Sequence, residues 1–270
     1  MKVIRSPKNL ELKKMLLLYK KSRERKKQGL FIIEGEREII NGLKSKYILE
    51  RIFLEEGVVF KNVNIKNAIN NTPTSVVEKK TFKKISIRSG GEKIIAVTRC
   101  KPHELKTLKL SKKSLIIVLE EPEKPGNIGA LYRTAAAAKI DAIIISNPKT
   151  DFYNPNSIRS SLGDIFKIPT AVASNENVLS FLKRSEFNIL TTFIKLDGVR
   201  YDEFDYQLPC ALVFGSESEG LSNFWSKVAF ENLVIPMAKT SNSLNLSVSA
   251  GILTYEAIRK NKKLDKNTIL

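Results

Sequence analysis

The sequence predicts an α/β protein with two parts, a smaller basic N-terminal region and a larger C-terminal region built on a mostly parallel sheet. Short apolar runs alternate with amphipathic, helix-like segments along the whole chain, which is typical of layered α/β folds. The excess positive charge lies entirely in the first 113 residues. A length of 270 residues suits one large domain or two ordinary ones.

The charge distribution indicates a partner for the first region. Residues 1–113 carry 29 Lys and Arg against 11 Asp and Glu, a net charge of +18, whereas residues 114–270 carry 17 of each sign. Such an asymmetry favours a polyanion, above all a nucleic acid, held by the basic region. A highly charged, solvated surface is the alternative that charge alone leaves open.

Rare residue types exclude several classes of protein. His103 is the only histidine, which argues against a His-based catalytic triad or a His-rich metal site, so no metal is predicted. Cys100 and Cys210 fit no zinc or redox spacing, so free thiols in a reducing cytoplasm are predicted. Neither a membrane-spanning apolar run nor a signal-peptide core occurs, and we expect a cytoplasmic protein that does not enter a membrane.

Periodicity places the elements of the first region. The predicted elements are a helix over 9–27 that ends near Gly29, a strand over 30–33, a helix over 35–45, and strands over 47–56 and 94–100. Basic residues crowd the end of the first helix, where they also suit the helix dipole; they include Arg23, Arg25, Lys26 and Lys27. We place one domain over 1–105, a linker over 106–113 and a second domain over 114–270.

The second region alternates strongly apolar strands with helices. The predicted strands are 114–121, 142–146, 188–194, 210–216 and 232–237, and the predicted helices are 130–139, 157–166, 176–185 and 243–263. Continuous apolar strands between helices indicate a parallel sheet that is buried on both faces.

Three strands of the second region run into polar loops. In the first loop, Asn127 lies near the start of a helix and Arg133 follows six residues later, as an anion contact or as an ordinary surface residue. In the second, Gly215 directly after a strand permits close approach to the backbone, and Glu217 follows it. This glycine pattern is not a Rossmann fingerprint. In the third, polar residues around Ser243 and Asn245 precede a helix; capping of that helix is the simpler explanation for them.

Together, the three loops resemble the three motifs of the SpoU (TrmH-like) family of RNA 2′-O-ribose methyltransferases, in the SPOUT superfamily. The first motif is matched by Asn127, Gly129 and Arg133, the second by Gly215, Glu217, Gly220 and Leu221, and the third by Ile235, Pro236, Met237, Ser243, Leu244, Asn245 and Ser247. The basic region is similar to the family's L30e-like substrate-binding domain through the run GLFIIEG (29–35).

The resemblance implies a fold, a cofactor and a site. It implies a C-terminal trefoil-knotted SPOUT domain that binds S-adenosylmethionine and pairs into a homodimer, in which Arg133 reaches towards the partner subunit's cofactor. The cofactor-binding residues that it implies are Gly215, Ile235, Met237, Leu244 and Thr192. Arg133 would favour deprotonation of the 2′-hydroxyl, and the residues that orient Arg133 and the ribose would be Asn127, Glu217, Ser243 and Asn245.

The substrate expected from this resemblance is RNA. Arg23, Arg25, Lys26 and Lys27 would hold its backbone, and the two-domain layout favours large-subunit (23S) ribosomal RNA. Three alternatives remain at this stage. The protein could be a tRNA 2′-O-methyltransferase, a base methyltransferase of the same superfamily, or a non-catalytic RNA-binding or ribosome-assembly protein.

Overall fold

The computed structural model describes residues 3–86, 91–194 and 197–261. The chain divides into two compact units. The first unit comprises residues 1–102 together with 151–167, and the second comprises residues 103–150 together with 168–270. Each unit has its own sheet.

The elements of the described residues follow in chain order. Up to residue 102 they are β1 Val3–Ile4, α1 Leu10–Lys20, α2 Ser22–Gln28, β2 Leu30–Glu34, α3 Glu36–Lys44, β3 Leu49–Glu55, α4 Val63–Asn71, β4 Thr74–Val77, α5 Lys79–Ile85 and β5 Ile94–Arg99. From residue 103 they are β6 Leu115–Glu120, α6 Pro125–Ala137, β7 Ala142–Ser146, α7 Pro155–Ser160, β8 Thr170–Ala173, α8 Asn175–Arg184, β9 Asn188–Thr191, β10 Val199–Arg200, β11 Cys210–Phe214, α9 Asn223–Ser226, β12 Glu231–Val234 and α10 Leu246–Asn261.

The first unit is built on a mixed five-stranded sheet in the order β1-β4-β3-β5-β2. β5 runs antiparallel to both β3 and β2, while β4 pairs in parallel with β1 and β3. The apolar side of α1, carried by Leu12, Met15 and Leu18, packs into a core with Ile32 and Phe53. This arrangement confirms a smaller α/β domain at the N-terminus.

The predicted single helix over 9–27 is wrong, because the chain breaks it at Lys21. That residue is extended, with φ −125° and ψ 113°, and separates α1 from α2. The break brings the guanidinium of Arg25 back onto the end of α1, where Nη1 donates to the carbonyl oxygens of Leu18 at 2.7 Å and Tyr19 at 3.2 Å. These carbonyls lie in the last turn, which lacks partners within its own helix. Gly29 ends α2 with φ +64°, as predicted.

The predicted helix over 157–166 is also wrong. α7 stops at Ser160, and the chain then turns through Leu162 and Gly163, whose φ angles are 54° and 81°. A Cβ at Gly163 would lie 2.9 Å from Nδ2 of Asn41, so this turn needs glycine both for its φ angle and for the space.

Residues 151–167 are part of the first unit, although the predicted domains ran without interruption from 114 to 270. Tyr153 stacks on Phe31 with ring centroids 4.1 Å apart. Asp151 forms a 2.5 Å ion pair with Arg25, and Nδ2 of Asn41 donates to the carbonyl of Leu162 at 3.2 Å. The sequence gives no sign of these contacts, because they join residues more than 100 positions apart.

The second unit is built on a seven-stranded sheet in the order β10-β12-β9-β11-β6-β7-β8, in which every described pairing is parallel. All residues of β6, β7 and β11 are buried, which agrees with their continuous apolar sequences. The predicted, mostly parallel sheet is therefore confirmed. The trefoil knot stays a prediction.

Two helix starts in this unit differ from the prediction. α6 begins at Pro125, earlier than the predicted residue 130, because proline is well suited to the first helical position. Asn127 therefore belongs to the first turn of this helix. α10 begins at Leu246, so Ser243 and Asn245 precede it, and the last two residues of the predicted helix over 243–263 lie outside the described residues.

Neither Cys100 nor Cys210 forms a disulfide, which agrees with the prediction. Cys210 is buried in β11. Burial raises the pKa of the Cys100 thiol to about 12, so this group stays protonated and unreactive near neutral pH.

Among the described residues, no helix is both long and apolar enough to cross a bilayer.

Candidate functional site

The three predicted site loops leave the sheet of the second unit at one edge. β6 and β11 are neighbours and pair Leu119 with Phe214 in parallel, and β12 lies beyond β9 on the other side of β11. The carboxyl ends of parallel strands meet at the same edge, which is where open α/β sheets bind their ligands. The loops after β6, β11 and β12 therefore emerge next to one another.

Asn127 connects the three loops. It lies in the first turn of α6, where its Nδ2 donates to Oε1 of Glu217 at 2.8 Å. Its Oδ1 accepts from Nδ2 of Asn245 at 2.9 Å. One amide therefore joins the first motif to the second and to the third, and its donor and acceptor are both used.

Glu217 caps the start of α6 from the neighbouring loop. Its carboxylate accepts hydrogen bonds from the backbone amides of Glu123 at 3.0 Å and Lys124 at 3.2 Å. Lys124 is the N-cap of α6 and has no side-chain cap of its own. A carboxylate at this position satisfies amides that lack partners and interacts favourably with the helix dipole. Glu217 thus fixes α6 relative to the loop after β11.

Asn245 caps α10. Its Oδ1 accepts from the backbone nitrogen of Ser247 at 2.9 Å and from the Ser247 hydroxyl at 2.7 Å. These bonds leave its Nδ2 to donate to Asn127, so a residue that looks like a helix cap also takes part in the site. A hydrogen-bond chain therefore runs from Glu217 through Asn127 to Asn245, which are three of the five predicted catalytic residues.

The other two predicted catalytic residues, Arg133 and Ser243, stand outside this chain. Both side chains are exposed, and neither side chain forms a hydrogen bond or ion pair with the described residues. Arg133 follows Asn127 by six positions on α6, a rotation of about 600° that leaves it some 120° away from Asn127 around the helix axis. Within one chain, therefore, Asn127 and Arg133 do not share a helix face.

Gly215 is required by the chain's own backbone. A Cβ at this position would lie 2.0 Å from the carbonyl carbon of Gly220 and 2.1 Å from the nitrogen of Leu221. The loop folds back over Gly215 because Ser216 and Gly220 exchange two backbone hydrogen bonds of 3.1 and 3.0 Å. The sequence predicted close approach at Gly215, and the structure shows that the approaching group is the loop itself.

The remaining predicted cofactor residues follow the ends of neighbouring strands. Thr192 comes directly after β9, and its hydroxyl donates to the carbonyl of Val213 in β11 at 3.0 Å. Ile235 and Met237 come after β12 and are half-buried. Leu244 precedes α10 and is 37% exposed. Partly open apolar side chains beside a polar, hydrogen-bonded edge are typical of a small-molecule site.

Glu120 is a supporting residue that the sequence did not suggest. It ends β6 with 2% exposure. Its carboxylate accepts from the backbone nitrogen of Ser222 at 2.8 Å, from the Ser222 hydroxyl at 2.6 Å and from Nδ2 of Asn175 at 2.5 Å. These bonds anchor the far end of the loop that contains Glu217. A glutamate at the end of an apolar run looks solvent-exposed in sequence, so only the fold identifies its role.

The predicted RNA-binding residues separate into two kinds. Arg23, Lys26 and Lys27 are exposed on α2. Arg25 is only 3% exposed, and its guanidinium is engaged by Asp151 and by two backbone carbonyls. The prediction that Arg25 holds the RNA backbone is therefore corrected, because a buried guanidinium that already pairs with a carboxylate is not presented to a polyanion.

The fold and the joined loops define an α/β enzyme with its site at the carboxyl edge of a parallel sheet. Residues 114–255 match the SpoU rRNA Methylase family, and residues 9–96 match the MRM3-like substrate binding domain. The first match covers more than half of the chain and includes all three motif loops.

Relatives of known name support the same assignment. The chain is 28% identical over 255 residues to the 23S rRNA (guanosine(2553)-2'-O)-methyltransferase RlmP of Bacillus subtilis (strain 168), covering 94% of this chain and 98% of RlmP. It is 33% identical to a solved RNA 2'-O ribose methyltransferase, with a TM-score of 0.82 over 97% of this chain and 100% of that one. The SpoU methyltransferase AviRb from Streptomyces viridochromogenes, solved with AdoMet, shares the fold, with a TM-score of 0.85 at 23% identity over 94% of this chain and all of AviRb.

The protein belongs to the SpoU rRNA methylase family. The predicted enzyme class, an RNA 2′-O-methyltransferase that uses S-adenosylmethionine, is confirmed. The predicted substrate-binding domain at the N-terminus is confirmed as well.

Proposed function

We propose that this protein methylates a ribose 2′-hydroxyl of 23S ribosomal RNA. The observation that carries the proposal is the match to RlmP, a 23S rRNA enzyme, along nearly the full length of both chains, so that the substrate-binding and methylase parts are both included. We also propose that the protein acts in the cytoplasm.

The residues at the carboxyl edge of the sheet fit S-adenosylmethionine. When bound, the cofactor supplies an electrophilic methyl group on a sulfonium. Ile235, Met237 and Leu244 offer apolar surface for its adenine and aliphatic parts, and Thr192 and the backbone near Gly215 offer polar groups. The loop after β11 is held on both sides, by Glu120 and by Glu217, so these groups are fixed before the cofactor binds.

Arg133 is the group that activates the ribose. A 2′-hydroxyl is a poor nucleophile while protonated, and a guanidinium beside it or beside the adjacent phosphate favours the alkoxide. Arg133 is exposed and forms no ion pair with the described residues, so its charge is available to a substrate. Asn127, Glu217 and Asn245 form the fixed polar surface that orients the ribose, with Ser243 beside them.

The protein acts as a homodimer in which Arg133 serves the partner subunit. Arg133 does not share a helix face with Asn127, and α10, which packs against α6, carries exposed apolar side chains. Val248 and Tyr255 are 49% and 46% exposed and lie seven positions apart, on one side of α10. Exposed apolar side chains along one side of a helix that already packs on α6 are suited to pack against a second copy of the protein.

Mixing two inactive variants tests the shared site. Neither Arg133→Ala nor Asn127→Ala homodimers contain a complete site. In a mixed dimer, one of the two sites has both residues intact if Arg133 acts across the interface. After unfolding and refolding as an equimolar mixture, we expect recovery of about one quarter of wild-type turnover. No recovery in a mixture that is dimeric by sedimentation would contradict the shared site.

The exposed basic side chains of α2 hold the RNA backbone. Each phosphate contact releases counterions and steepens the dependence of affinity on salt by about 0.7 to 0.9 log units per log unit of salt. Replacing Arg23, Lys26 and Lys27 together with alanine should reduce that slope by about 2, measured by fluorescence anisotropy on 23S rRNA fragments between about 50 and 200 mM salt. The control is Lys183→Ala with Arg184→Ala on α8 of the second unit, which should leave the slope unchanged.

The RNA specificity is tested by offering the purified protein three unmodified RNAs. In vitro transcripts of 23S rRNA and 16S rRNA and a transfer RNA pool are incubated separately with radiolabelled S-adenosylmethionine. We expect methyl incorporation into 23S rRNA, approaching one methyl group per molecule. Incorporation confined to transfer RNA would show that the substrate is transfer RNA and not 23S rRNA. Cofactor binding without incorporation into any of the three would favour a non-catalytic role in RNA binding or ribosome assembly.

A further inference from the structure

The loop that precedes α6 is strained and is held from the side opposite Glu217. Glu121, directly after β6, has φ +47°, a left-handed conformation that is uncommon for residues other than glycine. Such a conformation persists only where its surroundings fix it. The groups that fix this loop come from the end of the neighbouring strand β7, through Lys149 and Thr150.

Thr150 is bound to the loop through both its backbone and its side chain. Its backbone nitrogen donates to the carbonyl of Pro122 at 3.3 Å. Its hydroxyl donates to the carbonyl of Glu123. Each of these carbonyls shares a peptide unit with an amide that binds Glu217: the Pro122 carbonyl with the Glu123 amide, at 3.0 Å, and the Glu123 carbonyl with the Lys124 amide, at 3.2 Å. Thr150 therefore sets the orientation of both peptide units that bind Glu217.

The side chain of Glu123 adds a second tie between loops. Its Oε1 accepts from the Ser218 hydroxyl at 2.7 Å and from the Lys149 ammonium at 2.9 Å. Ser218 lies in the loop after β11, next to Glu217. The hydrogen bond from Ser218, followed by the one from Lys149, holds the pKa of Glu123 below its usual value. Ion pairs as exposed as that between Glu123 and Lys149 contribute little to stability. The half-buried Thr150 therefore holds the loop before α6 more strongly than this ion pair does.

We propose that Thr150 is a positioning residue for methyl transfer: its hydrogen bonds to the Pro122 and Glu123 carbonyls aim the Glu123 and Lys124 amides at Glu217. Glu217 in turn holds Asn127, and Asn127 holds Asn245. The proposal rests on the proposed function, since it concerns the same site. It adds a residue that lies outside all three motif loops.

Two substitutions at Thr150 and one elsewhere test the proposal. Thr150→Val removes the hydroxyl at almost constant volume, whereas Thr150→Ser keeps it. Thr107→Val is the matched control, because the Thr107 hydroxyl also donates to a backbone carbonyl, that of Glu104 at 2.7 Å, away from the site. We expect Thr150→Val to lower kcat about tenfold with KM for both substrates nearly unchanged, and Thr150→Ser to restore it. The Thr107→Val variant should match the wild type.

Amide hydrogen exchange provides a readout that needs no RNA. The Glu123 and Lys124 amides should exchange at least about fivefold faster in Thr150→Val than in the wild type or in Thr107→Val. Unchanged exchange at these two amides would overturn the proposal, as would wild-type kcat in Thr150→Val or a Thr150→Ser variant as slow as the valine variant. If the wild type methylates no RNA, the proposed function fails, while the exchange result still decides the role of Thr150.

Discussion

Replacing Arg133 with alanine is expected to lower kcat by at least about 100-fold while S-adenosylmethionine affinity changes by less than about twofold. A positioned cation that stabilises developing negative charge typically contributes two to three orders of magnitude in rate. The Arg133 side chain is exposed and forms no hydrogen bond or ion pair with the described residues, so the substitution removes the cation without disturbing the packing. Single-turnover kinetics measures the rate, and titration calorimetry measures cofactor binding.

Two variants provide the controls for this prediction. Arg133→Lys keeps the charge but loses the planar fork of donors, so we expect only partial recovery of the rate. Arg184→Ala removes another exposed arginine of the second unit, at the end of α8, and should leave kcat unchanged. Near-normal turnover in Arg133→Ala would show that the ribose is activated by a different group.

Replacing Arg25 with alanine is expected to lower the free energy of unfolding by about 3–5 kcal/mol. The Arg25 and Asp151 side chains are only 4% and 11% exposed, and removing one partner leaves the other buried without its counter-charge. The substitution also frees the carbonyls of Leu18 and Tyr19 at the end of α1. Urea denaturation followed by circular dichroism measures the change.

Arg23→Ala is the matched control for Arg25→Ala, because it removes an arginine from the same helix. Arg23 is exposed, so its loss should change the free energy of unfolding by no more than about 0.5 kcal/mol. The two variants should therefore separate stability from RNA binding, with Arg23→Ala weakening RNA affinity and Arg25→Ala weakening the fold. An Arg25→Ala protein of wild-type stability and reduced RNA affinity would reinstate Arg25 as an RNA contact.

The parallel sheet was predictable because its strands are buried on both faces. Continuous apolar runs such as LIIVLE in β6 and AIIIS in β7 leave few alternatives to buried parallel strands in a chain of this length. The region of α4 and β4 was not predicted, because the segment from Val63 to Val77 is rich in Asn and Thr and shows no strong period. There, burial of a few residues such as Ile65 and Val77 in the folded unit decides the structure.

Arg25 shows why the local sequence predicted the wrong role for one of the four basic residues. Arg23, Arg25, Lys26 and Lys27 are equivalent in composition and lie within one helical turn or so of each other. Arg25 is selected for burial by Asp151, 126 residues further along the chain, together with the carbonyls that the break at Lys21 brings within reach. A count of charged residues contains no information about contacts between residues so far apart. The count therefore predicted a basic surface, but not which side chains are exposed on it.

At the candidate site, the sequence predicted residues but not their connections. The resemblance to the SpoU family implied roles for Asn127, Glu217 and Asn245, and the structure joins these residues in one hydrogen-bond chain. Glu120 and Thr150 were missed because each supports the site through backbone groups of other loops. Such support depends on how the strand ends are ordered in the sheet, which no local pattern contains.

Nucleoside analysis of the reaction product tests the central claim most directly. Unmodified 23S rRNA is methylated by the wild-type protein with deuterated S-adenosylmethionine, digested to nucleosides and analysed by mass spectrometry. We expect a single labelled 2′-O-methylnucleoside, whose label is lost with the ribose on fragmentation, and no such product from Arg133→Ala. A labelled nucleoside that keeps its methyl group on the base after fragmentation would show that the protein methylates a base and not the ribose.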